Sequence, residues 1–183
     1  MLRVSFVCTG NRARSPLAEA LFRRHTAGLP VEVGSWGLLE LGGAPPLPEA
    51  AAVATALGVD LGDHRARRLA RGSLSRDDLV IGFEQAHVHA AVREGGADQT
   101  RVFMLLELPQ LFDDPPLPSE LQPPVEHARR VIEEMQRRRA GGPGVPGIVP
   151  DPFGAPPQVF AEVGRVIDAM TALLAVRLFG SEG

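Results

Sequence analysis

The chain has 183 residues, 44 % of them hydrophobic, enough for one domain with a substantial core, and no apolar run approaches the ~20 residues that span a bilayer. A net charge of -3 gives no electrostatic footprint for nucleic acid or an anionic membrane. The single cysteine excludes an internal disulfide, and all 19 basic residues are arginine, so a Walker-type phosphate loop, which needs its lysine, is excluded too. The first apolar run ends at Cys8, too short for a signal peptide, and a free thiol suits a reducing compartment; the expectation is a cytoplasmic protein.

Leu2 to Val7 reads as a first strand, apolar enough to lie buried in a parallel sheet. A helix is expected over about 16 to 27, with Pro16 in its first turn and a stop near Gly28-Leu29-Pro30. Between them lies Cys8-Thr9-Gly10-Asn11-Arg12-Ala13-Arg14-Ser15. A strand-to-helix loop of this kind points successive backbone N–H groups and the positive helix end at one spot, which makes it an anion site before any side chain is considered. The amides, the dipole and a guanidinium together stabilise a thiolate, the nucleophilic form of Cys8. Arg14, planar and permanently charged, can hold two oxygens of a tetrahedral oxyanion. The ligand implied is a phosphoryl group.

Val31 to Trp36 reads as the second strand, followed by a Gly/Pro-containing loop from Leu38 to Pro48 and a helix over about 48 to 58. Asp78 to Phe83 is expected as the third strand, Glu84 to Glu94 as a helix and Arg101 to Leu106 as the fourth strand. This alternation indicates an α/β fold with a parallel sheet and right-handed crossovers. Ligands of such sheets sit beyond the carboxyl ends of the strands, where Cys8 falls. His87 and His89 stand at i and i+2 rather than i and i+4, so they read as exposed polar residues without a zinc role. Nothing in the chain calls for a metal or cofactor.

From Glu107 to Pro150 the composition changes. Pro109, Pro115, Pro116, Pro118, Pro123 and Pro124 interrupt regular structure, and Val125 to Ala140 then turns helical, ending at Gly141-Gly142-Pro143-Gly144. Val125, Ala128, Val131, Ile132 and Met135 form a candidate buried stripe, with Arg129, Arg130 and Arg137 to Arg139 outside. The last helix, about 157 to 178, turns Phe160, Val163, Ile167, Met170 and Leu174 inward. Ahead of it, Val149-Pro150-Asp151-Pro152-Phe153-Gly154 holds a carboxylate rigidly between two prolines.

Cys-x5-Arg-Ser directly after a first strand, with Gly10 and Asn11 inside it and Pro16 after it, resembles the low-molecular-weight protein-tyrosine phosphatases, whose relatives include protein-arginine phosphatases and some arsenate reductases. The resemblance implies a three-layer α/β/α fold with a four-stranded parallel sheet, of the phosphotyrosine protein phosphatase I type, over 1 to 183 as one domain. The segment from about 107 to 148 is then an insertion, read as a docked helix in preference to a substrate lid. It implies hydrolysis of phosphorylated protein side chains, phosphotyrosine foremost, through a phosphocysteine intermediate. An arsenate reductase using an external low-molecular-weight thiol and a protein-arginine phosphatase are the alternatives; a phosphopeptide-binding module is disfavoured by the intact Cys8, Arg14 and Asp151.

By the same resemblance Cys8 is the nucleophile, Arg14 the phosphate clamp and Asp151 the acid and then the base. Thr9, Gly10, Asn11, Arg12, Ala13 and Ser15 form the phosphate loop. His64, Ser35, Ser15 and Asn11 hold that loop in shape, since Asn keeps a left-handed backbone only when its side chain is tied down. Arg12, Leu41, Glu84 and Phe153 are expected around the substrate, with Arg12 either facing an acidic ligand or pairing with Glu84, and Trp36 packed beneath Phe153. Ala13 replaces a second Cys found in many members, so oxidised Cys8 has no internal rescue. Substrates are phosphorylated proteins or small phosphoesters, with no nucleic acid or membrane partner; the oligomeric state is left open.

Overall fold

A seven-residue strand, β1 (Leu2–Cys8), is the axis of the computed structural model, which describes residues 1–112, 123–141 and 147–180. The strands pair in the order β2 (Val31–Gly37), β1, β3 (Leu79–Gly82) and β4 (Val102–Met104), all parallel. Period-two alternation splits the side chains of β1 between two faces. Leu2, Val4, Phe6 and Cys8 join one core cluster, and Val7 joins the other.

On the first face lie α1 (Arg14–His25), α5 (Pro124–Gly141) and α6 (Pro157–Phe179), contributing Leu17, Leu21, Ile132, Met135, Ile167 and Leu174. Phe6 meets Phe22 edge to face at 5.8 Å between centroids, the geometry aromatic quadrupoles favour. On the second face α3 (Gln85–Arg93) sets Ala90 and Ala91 against Val7, Val80 and Val102. These are the three layers of an α/β/α fold with a four-stranded parallel sheet. Two further helices, α2 (Pro48–Ala56) and α4 (Leu108–Leu111), border the first face.

Several boundaries differ from the sequence-based expectation, each for a local reason. α1 begins at Arg14 rather than at 16, so Arg14 and Ser15 belong to its first turn. β4 is only Val102–Met104 because short 3₁₀ turns flank it: the Asp98 carboxylate accepts from Thr100 N at 2.9 Å, and Glu107 accepts from Met104 N at 2.7 Å. Pro109 does not interrupt structure but sits in the first turn of α4, where its missing N–H is harmless. Pro124 starts α5 in the same way. Pro115, Pro116, Pro118 and the break at Gly142-Pro143-Gly144 lie outside the described residues.

α5 buries Ala128, Val131, Ile132 and Met135, but its arginines do more than face solvent. Arg129 pairs with Asp78 at 3.0 Å, and the other oxygen of Asp78 accepts from Arg3 N, which ties the helix to the start of β1. Arg138 donates to Leu111 O at 2.9 Å, and Arg139 lies over the Phe103 ring at 4.2 Å while donating to Val102 O. Arg139 thereby covers the edge strand β4.

α6 approaches α2 closely at Gly164, where an added Cβ would lie 2.4 Å from Val53 Cγ1. Val is stiff at χ1 and cannot swing away freely. Gly164→Ala is therefore expected to lower unfolding free energy by about 1–3 kcal/mol through overpacking, despite a helix-propensity gain of about 1 kcal/mol. Urea denaturation should show this loss and its relief when Val53→Ala is added; a stabilised single variant would contradict the close packing.

Candidate active site

The loop after β1 is shaped by one residue in a left-handed conformation. Asn11 has φ 51, the sole positive φ outside glycine among the described residues, and every polar atom that could hold it there is used. Its Nδ2 donates to Ser15 Oγ at 2.9 Å and to Ser35 Oγ at 2.8 Å, while its Oδ1 accepts from Arg67 N at 2.8 Å. His64 Nε2 donates to the Asn11 carbonyl at 2.8 Å, and burial keeps His64 below the ordinary histidine value of 6.5. Ser35 Oγ passes the chain on by donating to Glu19 at 2.5 Å. Gly37, in register with Cys8, is required because a Cβ there would fall 2.9 Å from Asn11 N.

Cys8 lies at the floor of this loop with 2 % of its surface exposed. Asn11 N donates to its Sγ at 3.2 Å, and Ser15 Oγ stands 3.0 Å away. The start of α1 lies directly behind them. Ala13 is buried against Ala50 and Phe160.

Arg14 is 1 % exposed, and its four terminal N–H bonds all meet acceptors. Nη1 donates to Glu84 and, at 2.8 Å, to Val149 O. Nη2 donates to Thr9 Oγ1 at 3.2 Å and to Asp151 Oδ2 at 2.6 Å. The guanidinium also lies 5.8 Å from the centroid of the Phe83 ring. Asp151 is fixed in turn, since its other oxygen accepts from Phe153 N at 3.1 Å. A carboxylate 137 positions along the chain is thus folded back onto the loop arginine.

His87 corrects the sequence reading. It is 1 % exposed rather than a surface residue, and it sits against Gly82, where a Cβ would come within 3.0 Å of the His87 Cβ. Its Nδ1 accepts from Phe83 N at 3.3 Å and Glu84 N at 3.1 Å, and its Nε2 lies 3.1 Å from Thr9 Oγ1. Burial, helped by the positive charge of Arg14, lowers its pKa to about 4. A spacing test for metal ligands could not find it; its position three residues after Glu84, at the start of a helix, is the signal that points to a cap. Glu19 was missed as well, because nothing local marks a helical Glu as the partner of a strand serine.

The rim differs in three ways. Glu84 pairs with Arg14, not with Arg12. Arg12 donates to Pro45 O at 2.7 Å instead. Trp36 packs on the second face beneath the guanidinium of Arg67, 4.7 Å from its ring centroid, rather than under Phe153. Leu41 stands over the loop, with its Cδ1 3.5 Å from where a Gly10 Cβ would be, and Phe153 is 73 % exposed. Among the described residues no group of acidic, Cys and His side chains could hold a metal ion, and no helix is long and apolar enough to cross a membrane.

The sequence model of the low molecular weight phosphotyrosine protein phosphatase family matches residues 3–138. The chain belongs to that family. It is 38 % identical over 107 residues to the probable low molecular weight protein-tyrosine-phosphatase EpsP of Ralstonia nicotianae, covering 58 % of this chain and 72 % of that protein. It is 43 % identical over 98 residues to a low molecular weight protein-tyrosine-phosphatase of Streptomyces coelicolor, covering 50 % and 58 %. Among solved structures it resembles a YwlE mutant from Bacillus subtilis, with TM-score 0.71 and 25 % identity over 97 % of this chain and 99 % of that one. The low molecular weight protein tyrosine phosphatase of T. tengcongensis gives TM-score 0.70 and 26 % identity, covering 95 % and 97 %. As a member of a phosphatase family, this chain is an enzyme.

The environment of His87 has a consequence for stability. Its folded pKa of about 4 lies below the ordinary 6.5, so the unfolded chain binds the extra proton first as pH falls. The stability contributed by neutral His87 is complete above about 6.5 and is lost as pH falls through about 4. Thermal unfolding from pH 7 to pH 4 should show a Tm decline that shrinks in His87→Gln. An equal decline in both proteins would contradict the buried neutral imidazole.

Proposed function

We propose that the enzyme hydrolyses phosphorylated protein side chains, phosphotyrosine foremost, in two steps through a phosphocysteine. Cys8 Sγ attacks phosphorus; the S–P bond forms as the ester P–O bond breaks, and the proton of Asp151 goes to the leaving oxygen. Water then attacks phosphorus, giving its proton back to Asp151, and the S–P bond breaks to release inorganic phosphate and the thiolate. The loop amides and Arg14 stabilise the equatorial oxygens, the largest electrostatic contribution in such reactions. Ser15 Oγ stands 3.0 Å from Sγ, and in this mechanism its hydroxyl turns from Trp36 O, to which it donates at 3.3 Å, to serve the departing sulfur.

The observation that carries this reading is the contact between Asp151 and Arg14 at 2.6 Å. It sets the proton-carrying group against the group that binds the phosphoryl oxygens, at the mouth of a loop built around one cysteine. A ligand oxygen competes with Asp151 for Arg14 Nη2, and the displaced carboxyl group is then free to serve the leaving oxygen. Leu41 beside Gly10 and the exposed ring of Phe153, two residues after Asp151, are the apolar groups that an aryl substrate would meet in this reading, and Arg12 at the rim favours acidic neighbours of the phosphorylated residue. The names of the curated relatives, protein-tyrosine-phosphatases, support the same substrate class. A reducing, cytoplasmic setting fits a mechanism that needs its one thiol free.

Turnover should be measured on phosphotyrosine, phosphoarginine and phosphoserine peptides side by side, with Arg12 intact and replaced by Ala. The phosphotyrosine peptide should be fastest, most of all with acidic neighbours. Cys8→Ser should abolish turnover while inorganic phosphate still binds, and Asp151→Asn should lower kcat by about 10²–10⁴-fold. Near-normal turnover by Cys8→Ser would overturn the mechanism, and a faster phosphoarginine peptide would overturn the substrate class.

A further inference from the structure

His87 neither belongs to the loop nor reaches the sulfur, yet it is buried and bonded at both ring nitrogens. Its Nδ1 is approached by two backbone N–H groups, from Phe83 and Glu84. A nitrogen that accepts cannot carry a proton, so the neutral ring must hold its hydrogen on Nε2. Nε2 then donates to Thr9 Oγ1 at 3.1 Å, and the same oxygen accepts from Arg14 Nη2 at 3.2 Å. Two incoming N–H bonds occupy both lone pairs of the hydroxyl. Thr9 is thereby fixed as an acceptor, no longer a free rotor, and its own proton is left for a third partner.

We propose that His87 is a positioning residue for this reaction, holding the Thr9 hydroxyl in the orientation that fixes Arg14 Nη2 for the phosphoryl oxygens. The inference rests on the function proposed above and extends it to a residue outside the phosphate loop. The relay joins the start of α3 to the start of α1: backbone amides of 83 and 84, imidazole, hydroxyl, guanidinium. Three charged groups face the ring, namely Arg14 from α1, Glu84 ahead of α3 and Asp151 from the acid loop. Gly82 makes the arrangement possible, because any side chain there would press on the Cβ of His87. Glu84 is held by the same unit: its backbone N–H donates to His87 Nδ1, its backbone carbonyl accepts from His87 N at 3.0 Å, and its carboxylate pairs with Arg14.

Two substitutions separate the halves of the relay. His87→Asn keeps an acceptor near Nδ1 for the two backbone N–H groups but is too short to reach Thr9; His87→Gln offers an amide N–H near the position of Nε2 without the cap. If the ring acts only as a cap, Asn replaces it and Gln does not. If it acts through Thr9, Asn lowers kcat/KM for an aryl phosphate, by up to about 100-fold for a misplaced clamp, and Gln recovers most of the loss. Thr9→Val should lose as much as His87→Asn, Thr9→Ser should recover most of it, and combining Thr9→Val with His87→Asn should add little further. The affinity for inorganic phosphate, measured by calorimetry in a Cys8→Ser background, should follow the same order.

Long-range ¹H–¹⁵N spectra of the unaltered protein should show His87 neutral, with its proton on Nε2, from pH 7 down to pH 5. A proton on Nδ1, wild-type kinetics in His87→Asn, or better function in Asn than in Gln would overturn the proposal. Should the unaltered enzyme turn over no phosphorylated substrate, the proposed function falls, while the tautomer and the phosphate-affinity order still decide the role of His87.

Discussion

A guanidinium withdrawn from water is the constraint on which the rest of the structure depends. An ion buried without partners costs several kcal/mol, more than most single contacts return, and Arg14 is 1 % exposed. It is tolerated because acceptors converge on it from distant parts of the chain: Thr9 beside it, Glu84 after β3, and Val149 and Asp151 from the segment ahead of α6. The carboxyl ends of β1 and β3 are neighbours in a parallel sheet, and α6 returns the segment before it to the same edge. The topology therefore does what local sequence cannot, setting three separate loops around one cation.

The second constraint is geometric. An L-residue in the left-handed region is unfavourable unless its side chain is engaged, and Asn11 meets that condition through Ser15, Ser35, Arg67 and His64. Turning the backbone at this point lets Asn11 N face the sulfur. The loop backbone therefore holds its shape through the protein's own contacts. Glu19, Arg23 and Arg67 surround the far end of this network and anchor it to α1 and β2.

Much of this was legible in the chain because it is written locally. The strand and the loop from Cys8 to Ser15 are short patterns whose chemistry follows from residue type, and hydrophobic periodicity shows the parallel α/β order, whereas Asp151 stands out only through the family resemblance, since Asp-Pro by itself reads as a turn. Partners across the fold were not legible in the same way. Glu84 is one of two expected partners of Arg12 yet binds Arg14, and the arginines of α5 read as solvent-facing although Arg129 binds Asp78, Arg138 the end of α4 and Arg139 the edge strand β4. A charged side chain reaches whichever opposite group the tertiary structure brings near, and sequence carries little record of that choice. His87 is hidden for a related reason: metal-ligand spacing says nothing of a burial that depends on Gly82 letting the helix close upon the loop.

In the mechanism proposed, Arg14 exchanges a protein carboxylate for a ligand oxyanion. A crystal structure with vanadate or phosphate bound tests it most directly. The account predicts the anion above Cys8 Sγ, bonded to the loop amides and to Arg14, with Asp151 released from Nη2 and turned toward the apical oxygen. An anion bound elsewhere, with the Arg14 to Asp151 contact unbroken, would contradict it.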